Sequence, residues 1–267
     1  MLNNDVVKSP YDIRDFTIQA DADLPEEFEL DVEVPVKNQG LQPTCVAHAL
    51  SSIVEYHYKR QQKKYRKFST EFIYGLREEG YYVGDGMCIR DGLNTLLKYG
   101  DTFASDCRGN HDCEYAMKNV NARVDELKEL AFPHRIRAYF KINTIDELKT
   151  ALKKYGAVAV SMNTYEDAKL VNDVYTYDET KENGRHCVFI YGWTKKKCWK
   201  VQNSWGPLYG GDGRFKIPFD FKFNEMWGIV DDIHDEDEII KPKRNKILDL
   251  IYFFWNFLVN LILLFKN

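Results

Sequence analysis

The sequence predicts an α+β chain of two lobes. The first half carries helical periodicity and helix-capping signals. The second half, from about residue 157, carries short apolar runs separated by turn residues. A helical half followed by a β-rich half packs as two lobes. With 267 residues, 44% of them hydrophobic, there is enough chain for two small cores.

Residues 1–24 are polar, acidic and weakly patterned, and read as an extension lying over the surface. The first strong element follows Pro43-Thr44. Val46, Ala49, Leu50, Ile53 and Val54 fall at helical spacing and predict an amphipathic helix over 45–62. Lys59, Arg60, Lys63 and Lys64 crowd its end, where cations suit the helix dipole. Further helices are predicted over 69–79 and 91–99, the second stopped by Gly100. Thr144-Ile145-Asp146-Glu147 is a capping-box pattern that opens a helix to Tyr155, stopped by Gly156. Strands are predicted at Ala157–Met162, His186–Trp193, Cys198–Asn203, Gly213–Phe219 and Met226–Val230. Asn183-Gly184 and Gly210-Gly211 mark turns between them.

The C-terminal region differs. Acidic Asp231–Glu238 is followed by basic Lys241–Lys246, so residues 233–246 read as a charged linker. Ile247–Phe265 then runs 19 residues with one charge, Asp249. Two readings stand. A membrane anchor fits the length, and the flanking lysines would keep the protein body on the cytoplasmic side. A packing helix fits the polar face formed by Asp249, Asn256 and Asn260.

A net charge of −4 is too mild to suggest a nucleic-acid partner. The opening MLNNDVVKSPYDIRD has no apolar core of a secretory signal, so a cytosolic chain with reduced thiols is expected. Most of the six cysteines are accordingly expected to be free.

The chemistry concentrates in four residues. Gln39 stands six residues before Cys45, which opens the first predicted helix. His186 follows 141 residues later, and Asn203 heads the run Asn203-Ser204-Trp205-Gly206 a further 17 residues on. Thiol attack on an amide needs a thiolate, and a helix N-terminus beside an imidazolium favours that form. His186 can return the proton to a leaving amine. Asn203 can orient its ring, and Trp205 can shield the bond between them from water. Gln39 can donate to an oxyanion beside the backbone N–H of Cys45. Alone, a helical cysteine is more often a small core residue, and a histidine in an apolar strand a structural one. The joint order is what points to acyl transfer. His48, one turn after Cys45, reads as structural.

The segments VPVKNQGLQPTCVAHAL, GRHCVFIYGW and VQNSWGPLYGGDGRFKI resemble the nucleophile, histidine and asparagine segments of the papain/cathepsin family of cysteine proteases. The resemblance covers residues 25–232. It implies a papain-like fold: a helical left lobe, an antiparallel β-barrel-like right lobe, and an active-site cleft between them for an extended peptide or protein substrate. It implies Cys45 as nucleophile, His186 as general acid/base, Asn203 as orienting residue and Gln39 as oxyanion donor. Gly86, in Gly84-Asp85-Gly86-Met87, sits where the family pairs with substrate backbone. Arg185 is a candidate pocket residue favouring acidic or polar side chains, and Trp205 completes the candidate substrate-binding set. No cofactor is required by this chemistry.

The departures are informative. Gln42 stands where the family commonly has a disulfide-forming cysteine, which fits a reducing compartment. Val46 replaces the usual aromatic. Residues 1–24 are too few for the usual inhibitory prodomain. Restraint by a short N-terminal segment in the cleft, or by membrane confinement, is the expectation. Residue usage rich in Lys, Asn, Ile and Tyr hints at an AT-rich genome, bacterial, phage or giant-virus; a viral member would be packaged in the virion. Cys107, His111 and Cys113 match no common zinc spacing and read as surface residues or a small disulfide loop. A loose alternative is a cleft-blocking loop in which His111 binds a substrate carboxylate. Two other functions compete: a catalytically silent binding or scaffold protein, and a Cys-His amidase acting on cell wall.

Overall fold

The computed structural model describes residues 6–12, 15–31, 34–78, 82, 84–107, 113–231 and 239–240. The hydrophobic segment 247–265, most of the charged linker and His111 lie outside the described residues. Among the described residues no helix is long and apolar enough to cross a membrane.

The helical lobe follows the predicted pattern. Helix α1 spans Cys45–Gln62, α2 Thr70–Gly75 and α3 Ile89–Lys98. Three further helices follow, α4 (Ala104–Cys107), α5 (Cys113–Ala122) and α6 (Val124–Ala131). Helix α2 ends earlier than its sequence pattern suggests. Past its end, the Arg77 guanidinium stacks on Tyr74 and Tyr82 and donates to the carbonyls of Gly84 and Gly86. In the second lobe α7 (Ile145–Lys154) opens with the expected capping box, Thr144 and Glu147 exchanging side-chain and backbone bonds.

Among the described residues eleven strands form the sheet: β1 (Thr17–Ile18), β2 (Phe28–Glu29), β3 (Ala138–Lys141), β4 (Val158–Tyr165), β5 (Lys169–Val171), β6 (Val174–Thr176), β7 (Glu182–Thr194), β8 (Cys198–Gln202), β9 (Arg214–Pro218), β10 (Glu225–Val230) and β11 (Ile239–Ile240). Their order is β11-β1-β3-β10-β4-β7-β8-β9-β6-β5, with β2 pairing β7 off this path. Strand β7 is central, antiparallel to β4 on one side and β8 on the other. Period-two alternation splits its side chains between two cores. Cys187 and Phe189 join the core under α1, whereas Val188 and Ile190 join the one shared with Leu148, Leu152, Trp193 and Trp199. Gly192 is required where β2 crosses, because a Cβ there would stand 2.4 Å from the Phe28 carbonyl oxygen. Among the described residues Cys45, Cys88, Cys107, Cys187 and Cys198 are free thiols.

One buried histidine of α1 makes folding pH-dependent. His57 is 1% exposed, and neither ring nitrogen has a hydrogen-bond partner among the described residues. Burial, with Arg60 adding to it, lowers its pKa from 6.5 to about 3. Below pH 6.5 the unfolded chain takes up a proton that the folded chain refuses, so this stability is lost as pH falls. His186 acts in the same sense, lowered by burial to about 4. Asp91, raised to about 6 by burial, and Asp101, raised well above its usual value, act in the opposite sense. The test is therefore a difference. Between pH 6.5 and 4.5 the parent should lose about 2 kcal/mol relative to His57→Gln, read from urea midpoints. Parallel pH profiles for the two proteins would contradict it.

Candidate active site

Cys45 is the first residue of α1, and this helix end is uncapped. Its N-cap residue, Thr44, makes no side-chain cap bond, and the first turn holds no acidic residue. The orphan N–H groups and the positive end of the dipole therefore face whatever lies at Cys45. Helix α1 packs on β7, the strand that carries His186. Cys187, next to His186, is buried among the same apolar groups as Cys45. Burial raises the Cys187 thiol pKa well above 9, with the Cys45 and Glu225 charges adding to the rise.

His186 is fully buried and its Nε2 lies 2.7 Å from Asn203 Oδ1. The backbone N–H of Ser204 also donates to Oδ1, at 2.7 Å. A backbone N–H can only donate, so this atom is the amide oxygen, and His186 Nε2 must carry the hydrogen. The lone pair is left on Nδ1, which has no hydrogen-bond partner among the described residues. Trp205 stacks on the imidazole with centroids 4.4 Å apart and planes 22° from parallel. It covers the His186–Asn203 pair, as its position in the sequence suggests. The bond to Asn203 partly opposes the fall in the His186 pKa caused by burial.

The Gln39 loop is tied to the Asn203 segment by a short antiparallel bridge between Asn38 and Trp205. Gln39 N–H donates to the Ser204 carbonyl at 2.8 Å, and Gly206 N–H to the Lys37 carbonyl at 3.0 Å. Gly206 adopts φ +86°, and a Cβ there would press on Asn38 at 3.2 Å, so glycine suits both the turn and the approach. Ser204 Oγ donates to Gln39 Oε1 at 2.6 Å, and Gln39 Nε2 donates to the Gln42 carbonyl at 2.8 Å. These bonds set the face of the amide toward the start of α1. His48 Nδ1 bonds the Thr44 carbonyl at 2.9 Å, in keeping with a structural role.

Sequence reasoning missed the support beneath this loop. Lys37 Nζ lies 2.9 Å from Glu55 Oε1, with side chains 7% and 0% exposed, and also bonds Ser51. Phe68 N–H donates to the same carboxylate at 2.9 Å. The available signal was a glutamate at a buried position of the α1 pattern.

The other assigned residues are placed less directly. Arg185 is half-buried and shares a strand face with Cys187, the face that α1 covers. The Gly86 carbonyl is taken by Arg77, and backbone pairing occurs one residue on, at Met87. Its partner is the N-terminal segment. Val6 pairs in parallel with Met87, and Val7 N–H donates to the Met87 carbonyl at 3.1 Å. Ser9 N–H donates to Glu225 Oε1 at 2.7 Å. Arg90 grips the Pro10 carbonyl and the Asp15 carboxylate, and Thr17 pairs with Lys141 of β3. The extension is thus a strap docked across both lobes, with Val6 and Ile18 each 4% exposed.

Comparisons with known proteins identify the family and the fold. Residues 24–232 match the model of the papain family of cysteine proteases. Mouse cathepsin K is 30% identical over 193 residues, 67% of this chain and 54% of its own length. A cathepsin B-like cysteine proteinase of Haemonchus contortus is 24% identical over 152 residues, 55% of this chain and 44% of its own. The chain thus spans about half the length of these curated relatives. The crystal structure of xylellain, a cysteine protease from Xylella fastidiosa, superposes with a TM-score of 0.72 at 21% identity. That superposition covers 86% of this chain and 96% of the other, a likeness of fold.

Proposed function

Because the chain belongs to the papain family of cysteine proteases, we propose that it hydrolyses peptide bonds through a thioester on Cys45. The observation that carries this reading is the doubly accepting Asn203 Oδ1, which leaves the His186 lone pair on Nδ1. In the first step Cys45, having passed its proton to His186 Nδ1, attacks the substrate carbonyl as thiolate. The negative charge on Cys45 offsets the burial that otherwise holds His186 neutral. The oxyanion accepts from the Cys45 backbone N–H and from Gln39 Nε2. Collapse of this intermediate breaks the C–N bond, and His186 gives its proton to the departing amine. Water then attacks the thioester as Nδ1 removes its proton. The carboxylic acid leaves and the thiol is restored. Throughout, Asn203 holds the Nε2–H tautomer, and Trp205 keeps water from that bond.

The test is hydrolysis of fluorogenic peptides by the full chain, stopped by one equivalent of an epoxide-type thiol inhibitor bound to Cys45. Peptide binding without turnover or selective labelling would instead indicate a silent scaffold. Activity on peptidoglycan alone would indicate the amidase.

The strap supports a second element of this proposal, that residues 1–24 restrain activity. Its backbone pairs with Met87, beside the Gly86 position where substrate is expected. Val7→Pro deletes the N–H that bonds the Met87 carbonyl. It should raise the rate of Cys45 labelling about 3–10-fold, the worth of one net hydrogen bond. An unchanged rate would exclude this segment as the restraint.

A further inference from the structure

The C-terminal end of α1 and the turn after it form a strongly basic face. Lys59, Arg60, Lys63, Lys64, Arg66 and Lys67 place six cations in nine residues of a chain whose net charge is −4. The last four are exposed, and Lys59 and Arg60 are half-buried. Two carboxylates face this group. Asp31 shares a surface hollow with Lys59, Arg60 and Lys63, and Asp231 Oδ2 accepts from Gln61 Nε2 at 3.1 Å. Cations stay in excess. An exposed aromatic ring lies nearby. His134 packs edge-on against Tyr58 of α1, with centroids 5.9 Å apart, and it also touches Phe103, over which Arg66 sits. Two residues before His134, Phe132 is 56% exposed, with the Arg135 guanidinium 3.7 Å above its ring.

The path of the chain brings its C-terminal region to the same end of the molecule. Strand β10 runs out to Val230 and Asp231 there, and β3 sets off from there, Ala138 pairing with Val230 and Lys141 with Trp227. Strand β1 is parallel to β3 and β11 antiparallel to β1, so β11 runs back toward the Asp231 end. From β11 to β10 is three strand spacings, about 15 Å. Residues 241–246, four of them cations, can reach about 20 Å when extended. The apolar run Ile247–Phe265 therefore starts within reach of the basic face.

We propose that the 59–67 face is a docking surface for an anionic lipid membrane, with the apolar run 247–265 entering the same bilayer. Lysine and arginine side chains are drawn to acidic headgroups, and an exposed aromatic ring suits the headgroup layer. A soluble polyanion would match the cations but would leave Phe132 and the apolar run without a role. Docking also sets the height of the cleft. Cys45 opens α1 and the basic face closes it, so 18 residues at a rise of 1.5 Å hold the thiol about 27 Å from the lipid. The cleft then faces segments that stand off the surface. Docking is independent of the peptidase reading above.

The experiment titrates the full chain with vesicles of phosphatidylcholine, alone or with about 30% phosphatidylserine. The partition constant should rise on the order of 100-fold with the acidic lipid. That gain should disappear at about 1 M salt, where the screening length falls to ~3 Å. Lys63→Gln, Lys64→Gln, Arg66→Gln and Lys67→Gln together should lower the preference on the order of 100-fold, each cation being worth about fivefold at an acidic surface. All four side chains are exposed, so the variant should melt with the parent, and that melt certifies its fold. Equal binding of the parent to both vesicles overturns the proposal. So does a variant that keeps the full preference, which Lys241, Lys243, Arg244 and Lys246 would then explain. Salt-sensitive binding to heparin or single-stranded DNA, with no gain from phosphatidylserine, would assign the face to a soluble polyanion instead.

Discussion

Replacing Cys45 by alanine is expected to lower peptide hydrolysis by about five orders of magnitude or more, since nucleophile and base act as one unit. Folding should change little. Cys45 is 1% exposed, and the substitution trims a single sulfur from a packed site, a cost of about 1–2 kcal/mol. Two further variants separate the roles. His186→Ala should be comparably inactive, because the lone pair that takes the proton sits on its Nδ1. Asn203→Ala should lose about 10²-fold, because the ring remains under Trp205 while its tautomer and orientation are no longer held. Steady-state assays with active-site titration, paired with thermal melts, distinguish lost chemistry from lost folding. Full hydrolysis by a well-folded Cys45→Ala protein would remove the thiol from the mechanism.

Glu55→Ala is expected to destabilise the folded chain by about 3–5 kcal/mol, because it strands the Lys37 ammonium in a buried site. For a domain of this size that is roughly a 10 °C fall in Tm. Phe68 N–H loses its acceptor as well. The site should feel the change, because the Lys37 carbonyl accepts from Gly206 and Gln39 is two residues away. Lys37→Met combined with Glu55→Gln removes both charges together and should recover more than half of the loss. Calorimetry on the parent, the single and the double variant checks this. An additive double variant would mean that the two side chains are not coupled.

Much of the fold was legible in the sequence. The 45–62 helix, the Thr144 capping box and the five main strands are written in short-range periodicity and cap residues, which act within a turn or two of chain. The candidate site was legible because its parts lie in recognisable local runs around Cys45, His186 and Asn203. Helix α2 was over-extended, because Arg77 leaves its helical pattern for carbonyls brought near by another loop. Arg77 likewise occupies the Gly86 carbonyl, and the strap pairs one residue on, at Met87.

The sequence by itself determined which residues are candidates for the chemistry and which segments are helix or strand, since side-chain type and hydrophobic spacing are local properties. Only the tertiary structure decided the protonation pattern of His186, which follows from the Ser204 N–H turned onto Asn203 Oδ1. It also decided the buried pairing of Lys37 with Glu55 and the seat of the strap on Met87, Arg90 and Glu225. These are contacts between chain segments brought together by folding. The bond from Ser9 to Glu225 spans 216 residues, and no periodicity within either segment encodes it.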